Sequence, residues 1–255
     1  MLAAALGLGL LVGLVIGALG GGGSILTVPI LVFVLGLSAQ EATTASLVIV
    51  GISAIVASIS HAGSGHTRWR TGLLLAASGV PTSVLGTHLN RAVDQRPLLL
   101  AFAALMLLAA AGLVRQNRRR ADSYDDAPEA PWTPSTWVRL VVAGVGIGFL
   151  TGFFGVGGGF VIVPVLVLVL GVPTAAAIGT SLLVTALSAA VALLARAGHD
   201  SFAWDVIVPF TATSVAGALL GQRVSCRLPA LALNRAFAVL LVLVATYVAL
   251  RSGSS

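Results

Sequence analysis

Long apolar runs separated by short polar breaks dominate this chain, and they fall into two sets of five. The first set is Leu2–Leu19, Ile25–Leu37, Ala42–Ser60, Thr71–Leu89 and Pro97–Val114. A polar stretch from Arg115 to Thr136 follows, and the runs then recur at Trp137–Phe154, Phe160–Leu170, Thr174–Ala195, Trp204–Gln222 and Pro229–Leu250. Each long run approaches the ~20 residues a helix needs to cross a hydrocarbon core. In lipid the backbone must satisfy its own hydrogen bonds, which predicts helices and excludes open strands. Ile25–Leu37 has only 13 residues, roughly 20 Å as a helix and too short to span alone. The predicted architecture is an all-α polytopic membrane protein with 8 to 10 membrane segments, some of them short, glycine-broken helices. The first membrane unit is 1–114, the linker 115–136 and the second unit 137–251.

The two sets are copies. Adding 135 to a residue number in the first half reaches its counterpart without a gap, and 15 of the 35 positions from Gly13 to Leu47 match Gly148 to Leu182. The match centres on Gly20-Gly21-Gly22-Gly23-Ser24-Ile25-Leu26-Thr27-Val28-Pro29 against Gly155-Val156-Gly157-Gly158-Gly159-Phe160-Val161-Ile162-Val163-Pro164. A duplicated, glycine-interrupted hydrophobic chain is the pattern of a secondary transporter, whose site forms where two repeats meet. If each helix, glycine tip and short helix make a hairpin, a repeat has an odd number of crossings and the halves are inverted. If they make one broken crossing, the halves are parallel. Arginine placement divides ten to four across the membrane for the inverted arrangement and nine to five for the parallel one, which does not discriminate. The length of Leu2 to Leu37 favours inversion.

Composition agrees with a membrane environment. The chain is 58% hydrophobic and 9% charged, against about 25% charged residues in soluble domains. The net charge of +6 comes from 14 arginines with no lysine. These lie in short loops between apolar runs, where they read as topology signals rather than a nucleic-acid surface. Both orientations put the linker on the side taken as cytoplasmic. Cys226 is the single cysteine, so no intramolecular disulfide or multi-cysteine metal site is possible. Leu2–Leu19 resembles a secretory signal, but its counterpart lies in mid-chain, so both read as mature segments. Trp69 and Trp204, repeat mates at helix starts, read as interfacial anchors.

Candidate chemistry concentrates at the glycine tips. Glycine lets a ligand approach the main chain, and the short helix after each tip offers unpaired N–H groups with a partial positive charge, which favour an anion. Gly22, Gly23 and Ser24 in the first half and Gly157, Gly158 and Gly159 in the second are the candidate cradle. The following helices begin with small hydroxyl residues; Ser46 and Ser181 are repeat mates, and Thr180 precedes the latter. Hydroxyls donate to an oxyanion without adding charge. Ser46, Ser53 and Ser60 fall seven apart on one helix face, and isolated glycines such as Gly13 and Gly17 read as helix-packing positions. Weaker candidates for gating or coupling are the repeat mates His61 and Arg196 and the acidic Glu41. His66, His88 and His199 lack metal-ligand spacing, no catalytic triad or carboxylate pair is visible, and no phosphate-binding loop suggests ATP drive. Neither cofactor nor metal is expected, and the chain reads as a non-enzyme.

The duplicated glycine tip, the proline in the short helix after it, and Gly179-Thr180-Ser181 resemble the TauE/SafE family of membrane permeases, over about Gly7 to Leu250. That resemblance implies a cell-membrane permease for sulfite, organosulfonates or related small anions. The repeat it implies has four segments, eight in all. It also implies site roles for Gly22, Gly23, Gly157, Gly158, Thr180 and Ser181. The first half carries Thr44-Ala45-Ser46 in place of Gly179-Thr180-Ser181, which implies unequal participation of the halves. The expected partners are a small anionic substrate, the bilayer and a coupling proton or ion. The alternative function is a membrane-embedded enzyme or accessory scaffold of sulfur metabolism.

Overall fold

The computed structural model describes residues 2–63, 67–90, 95–119, 134–154, 159–196 and 204–253. The helices are α1 (Leu2–Leu19), α2 (Ser24–Phe33), α3 (Ala39–Gly63), α4 (Trp69–Asn90), α5 (Gln95–Arg119), α6 (Pro134–Phe154), α7 (Gly159–Leu168), α8 (Thr174–Arg196), α9 (Trp204–Ser225) and α10 (Ala230–Gly253). A 3-10 turn, Gly21–Gly23, joins α1 to α2. No strand occurs among the described residues. Among the described residues, five helices contain stretches long and apolar enough to cross a membrane, namely Thr44–Gly63, Thr136–Phe153, Thr174–Leu194, Trp204–Ser225 and Ala230–Val248, and shorter apolar helices accompany them. The outer surface is apolar: Leu108, Leu194 and Leu250 are 71%, 76% and 71% exposed. Lipid, not water, is the solvent that accepts such a surface.

The helix boundaries repeat with the sequence. Shifting Ser24–Phe33 by 135 gives Gly159–Leu168, and shifting Trp69–Asn90 gives Trp204–Ser225. Both short helices end alike. Val34 and Leu35 N–H groups donate to the Ile30 carbonyl and Leu37 N–H to Leu31, and Val169, Leu170 and Val172 repeat this on Val165 and Leu166. The closing residues Gly36 (φ 73°) and Gly171 (φ 65°) occupy the left-handed region, which ends a helix at little cost only in glycine. The linker's two ends are helical, since α5 continues to Arg119 and α6 starts at Pro134.

Packing crosses between the halves. Gly9, Gly13 and Gly17 on α1 press against the backbone of Phe210, Ser214 and Ala218 on α9, so closely that any side chain would collide. Their repeat mates Gly144, Gly148 and Gly152 on α6 press in the same way on Leu75, Gly79 and Ser83 of α4. The first helix of each half therefore packs on the fourth helix of the other. Small residues at four-residue spacing allow this close approach, which drives helix association where lipid removes the hydrophobic incentive.

The same contacts set direction. Gly13 meets Ser214 and Gly17 meets Ala218, so α1 and α9 run the same way. Ser53 Oγ donates to Ser214 Oγ at 2.9 Å and Ser60 Oγ to Gln222 Oε1 at 2.9 Å, so α3 runs that way too. Ser53 and Ser60 of the serine stripe read from the sequence thus face α9. For α3 to run parallel to α1, α2 must turn back. Gly23 accordingly lies against Ile16 and the Val12 carbonyl, beside the last turns of α1. Five residues separate α3 from α4, a reach of roughly 20 Å, against about 33 Å for the 22 residues of α4. So α4 reverses, and α6 runs with it. At the centre, Gly51 of α3 lies on Ala189 of α8, and Phe102 of α5 meets Phe160 of α7 edge-on at 5.1 Å.

Helix α3 starts at a capping box. Ser38 donates its hydroxyl (2.7 Å) and its N–H (3.1 Å) to Glu41 Oε2, and Glu41 N–H donates to Ser38 Oγ at 3.3 Å. The Ser38 hydroxyl, then its N–H, hold the carboxyl below its ordinary value of 4.5. Glu41 therefore stays ionised near neutral pH.

Two expectations follow. Gly148→Ala, which places its β-carbon against the Gly79 backbone, is expected to destabilise by about 1–3 kcal/mol. Gly146→Ala meets nothing within 4 Å and should be neutral or stabilising; heat unfolding in detergent micelles compares the two. For Glu41, the depressed pKa means the cap's contribution is complete above pH 4.5 and lost as pH falls through the lowered value. The melting-temperature gap between wild type and Glu41→Gln should hold from pH 7 down to about 4.5 and close only below it. A gap that closes between pH 7 and 5 would contradict this assignment.

Candidate functional site

The first tip forms where α1 ends. Gly20 has φ 79° and ψ −151°, a conformation essentially confined to glycine, and it redirects the chain into the 3-10 turn. Gly21, Gly22 and Gly23 are buried. Ser24 Oγ donates to the Gly21 carbonyl at 2.8 Å and Thr27 Oγ1 to the Gly23 carbonyl at 3.0 Å. These bonds tie the turn to the start of α2, so the Ser24 hydroxyl is spent on its own backbone.

The two tips touch. The Gly21 backbone packs directly on Gly159, the first residue of α7, with no room for a β-carbon on either. Gly157 and Gly158 lie outside the described residues. Ser181 is brought to the first tip: its hydroxyl donates to the Ile178 carbonyl at 2.8 Å, and the Gly21 N–H points at its oxygen at 3.5 Å. A β-carbon on Gly20 would lie 2.5 Å from Ser181 Oγ and 3.1 Å from a Val163 methyl. Contact thus runs from the first half's tip to α7 and α8 of the second.

At the first tip the space beside the candidate cradle is occupied. The Phe237 ring of α10 lies over Gly22, filling the space its missing side chain leaves. Two apolar grooves, of about 340 Å³ between α6 and α7 and about 320 Å³ between α2 and α10, are lined by residues such as Val142 and Val169, or Pro29 and Tyr247; neither includes a tip glycine.

Other candidates have separate tasks. Thr180, fully buried, accepts the Arg68 N–H at 3.1 Å, so its hydroxyl oxygen caps the start of α4. Ser46 is buried in α3. His61 is 3% exposed, and its Nε2 lies 3.1 Å from the Gly17 carbonyl. It ties α3 to the last turn of α1, next to the tip, instead of reaching an outer mouth. The Arg196 side chain lies outside what the structure describes, and Glu41 serves the cap described above. Phe237, which lies against a tip glycine, was not singled out from the sequence, and Thr185, against another, fell there only within the small face Ser181, Thr185, Ser188 and Ala192. A large aromatic in an apolar run carries no local mark, whereas Thr185 had a weak one, lying one turn beyond Ser181 on the same face.

Comparison with known proteins agrees with this architecture. Residues 5–248 match the family described as sulfite exporter TauE/SafE. A probable membrane transporter protein of Xylella fastidiosa is 37% identical over 98% of this chain and 95% of its own length. The probable membrane transporter protein YunE of Bacillus subtilis is 28% identical over 71% of this chain and 72% of its own. No solved structure matches. A match over nearly the whole chain, on a bundle of membrane-length helices, makes this a multi-pass membrane transporter, and the chain belongs to the TauE/SafE family.

Proposed function

We propose that the protein is a secondary transporter for a small anion, with sulfite, an organosulfonate or a related sulfur oxyanion as cargo, bound where the two glycine tips meet. The observation that carries this reading is the main-chain contact of Gly21 with Gly159. It joins the first half's uncharged glycine turn to the start of α7 in the second half, inside an apolar bundle. Irregular backbone at membrane depth is tolerated only where protein or a water-filled cavity surrounds it. The broken helices of transporters use such points for substrate. The tip is closed by Phe237 and by the opposite tip, so binding requires these to part. The cradle then comprises Gly22, Gly23, Ser46, Gly157, Gly158, Gly159, Thr180 and Ser181, with Ser24 holding the tip carbonyl that shapes it. Neutral donors suit a carrier. Each hydrogen bond to a charged group is worth about 1.5–3 kcal/mol, enough to replace hydration when several act, yet weak enough for release. A buried arginine would hold the anion harder and costs ~2.5 kcal/mol or more in lipid.

On this reading the halves 1–114 and 137–251 are inverted copies joined by the 115–136 linker. The directions of α1, α3 and α9 against α4 and α6 support inversion. Arg68, Arg70, the linker, Arg139, Arg223, Arg227 and Arg235 then share one side, the cytoplasmic side of the plasma membrane by the positive-inside rule. The chain carries solute and performs no chemistry on it.

Radiolabelled sulfite should enter proteoliposomes containing the wild-type protein. Gly22→Leu, whose side chain competes with the Phe237 ring, should cut the rate by at least tenfold while inserting normally; wild-type flux in that variant would remove the tips from the pathway. For orientation, exposed Cys226 and Arg91→Cys in a Cys226→Ala background occupy repeat-equivalent positions. A membrane-impermeant maleimide should label them from opposite faces. Labelling from the same face would establish parallel halves.

A further inference from the structure

Hydroxyls on these helices usually bond back to a carbonyl one turn earlier. Thr27 does so to Gly23, Thr151 to Ile147, Thr213 to Pro209 and Thr246 to Val242. Thr185 does not. It is 1% exposed, and its Oγ1 has no hydrogen-bond partner among the described residues. Its oxygen abuts the first tip instead: a β-carbon on Gly21 would lie 2.7 Å from it. Leaving a buried hydroxyl unpaired is unfavourable, and such a group at a functional seam calls for an explanation.

The surroundings supply one. The Gly21 N–H beside it has only the long 3.5 Å contact to Ser181 Oγ. Gly21 also packs on Gly159, the start of the ten-residue helix α7, whose first N–H groups have no partner within the helix. Three kinds of neutral donor therefore converge: a tip amide, the first turn of a helix and a free hydroxyl. Nothing in this group carries a positive charge.

We propose that Thr185 is a substrate-contacting residue, its hydroxyl donating to an oxygen of a small oxyanion lodged between Gly21 and the start of α7 when the tips part. This rests on the transport reading above and adds a residue that the glycine and Gly179-Thr180-Ser181 motifs do not contain. It also makes the site lopsided. The repeat mate of Thr185 is Val50, so the second half supplies a donor where the first supplies a methyl group.

The test uses purified full-length protein with sulfite and thiosulfate as probes, comparing wild type, Thr185→Val and Thr185→Ser. Thr185→Val keeps the shape and removes the donor. It should weaken the probe Kd about tenfold or more and slow flux in proteoliposomes, while Thr185→Ser stays near wild type. Without anion, Thr185→Val should melt no lower than wild type, because it removes an unpaired hydroxyl. Wild-type affinity in Thr185→Val would overturn the assignment and leave the tip site standing. A drop of several degrees in the anion-free melting temperature of Thr185→Val would also overturn it, by showing that the hydroxyl has a structural partner. If the wild-type protein neither binds nor moves either probe, the sulfur-oxyanion reading falls, and this assignment with it.

Discussion

Close backbone contact through glycine is the constraint on which the rest of this structure depends. Lipid offers apolar side chains no reason to leave it, so helices associate through packing and polar contact. Here the packing is made by Gly9, Gly13 and Gly17 against α9, and by Gly144, Gly148 and Gly152 against α4. Because each pair takes one helix from each half, neither half can shed the other without exposing its own seams. The same bundle sets the first tip against the start of α7, through Gly21 and Gly159.

Polar groups inside the bundle follow from the same logic. A hydroxyl in hydrocarbon must find a partner, and most here do. Ser53 binds Ser214, Ser60 binds Gln222, Thr180 accepts Arg68 N–H and Ser24 holds the tip carbonyl. These bonds join helices from different halves or stabilise breaks in the chain. Ser58, Thr67, Thr185 and Thr211 have no partner among the described residues, and of these Thr185 is the one that abuts a tip glycine, where both halves touch. Helix packing and the breaks in the chain thus draw on the same inventory of small groups: glycine gives the fit and hydroxyls join the helices.

Much of the fold was legible in the sequence because membrane helices announce themselves by length and hydropathy. Leu2–Leu19 is both an apolar run and the full extent of α1. The short runs after the glycines became α2 and α7, and the packing role of Gly13 and Gly17 followed from their spacing. Ser53 and Ser60 of the seven-residue serine stripe faced partners as its period required. Less legible were the ends of the linker, where Arg115 to Arg119 remain helical. Arginine is a good helix former, so polarity alone does not end a helix there.

What the sequence by itself determined is periodic and local: helices, their breaks and the 135-residue spacing at which the two sets of helices begin. Only the tertiary structure decided which surfaces meet. It put α1 on α9 instead of on its own neighbours, laid Phe237 over Gly22, turned the Thr180 hydroxyl to Arg68 and left the Thr185 hydroxyl at the tip. The reason is physical. Hydropathy and spacing report how each segment meets its solvent, whereas pairing depends on complementary shape between segments far apart in the chain. That complementarity is carried by glycines whose partners, being backbone, leave no mark in the sequence.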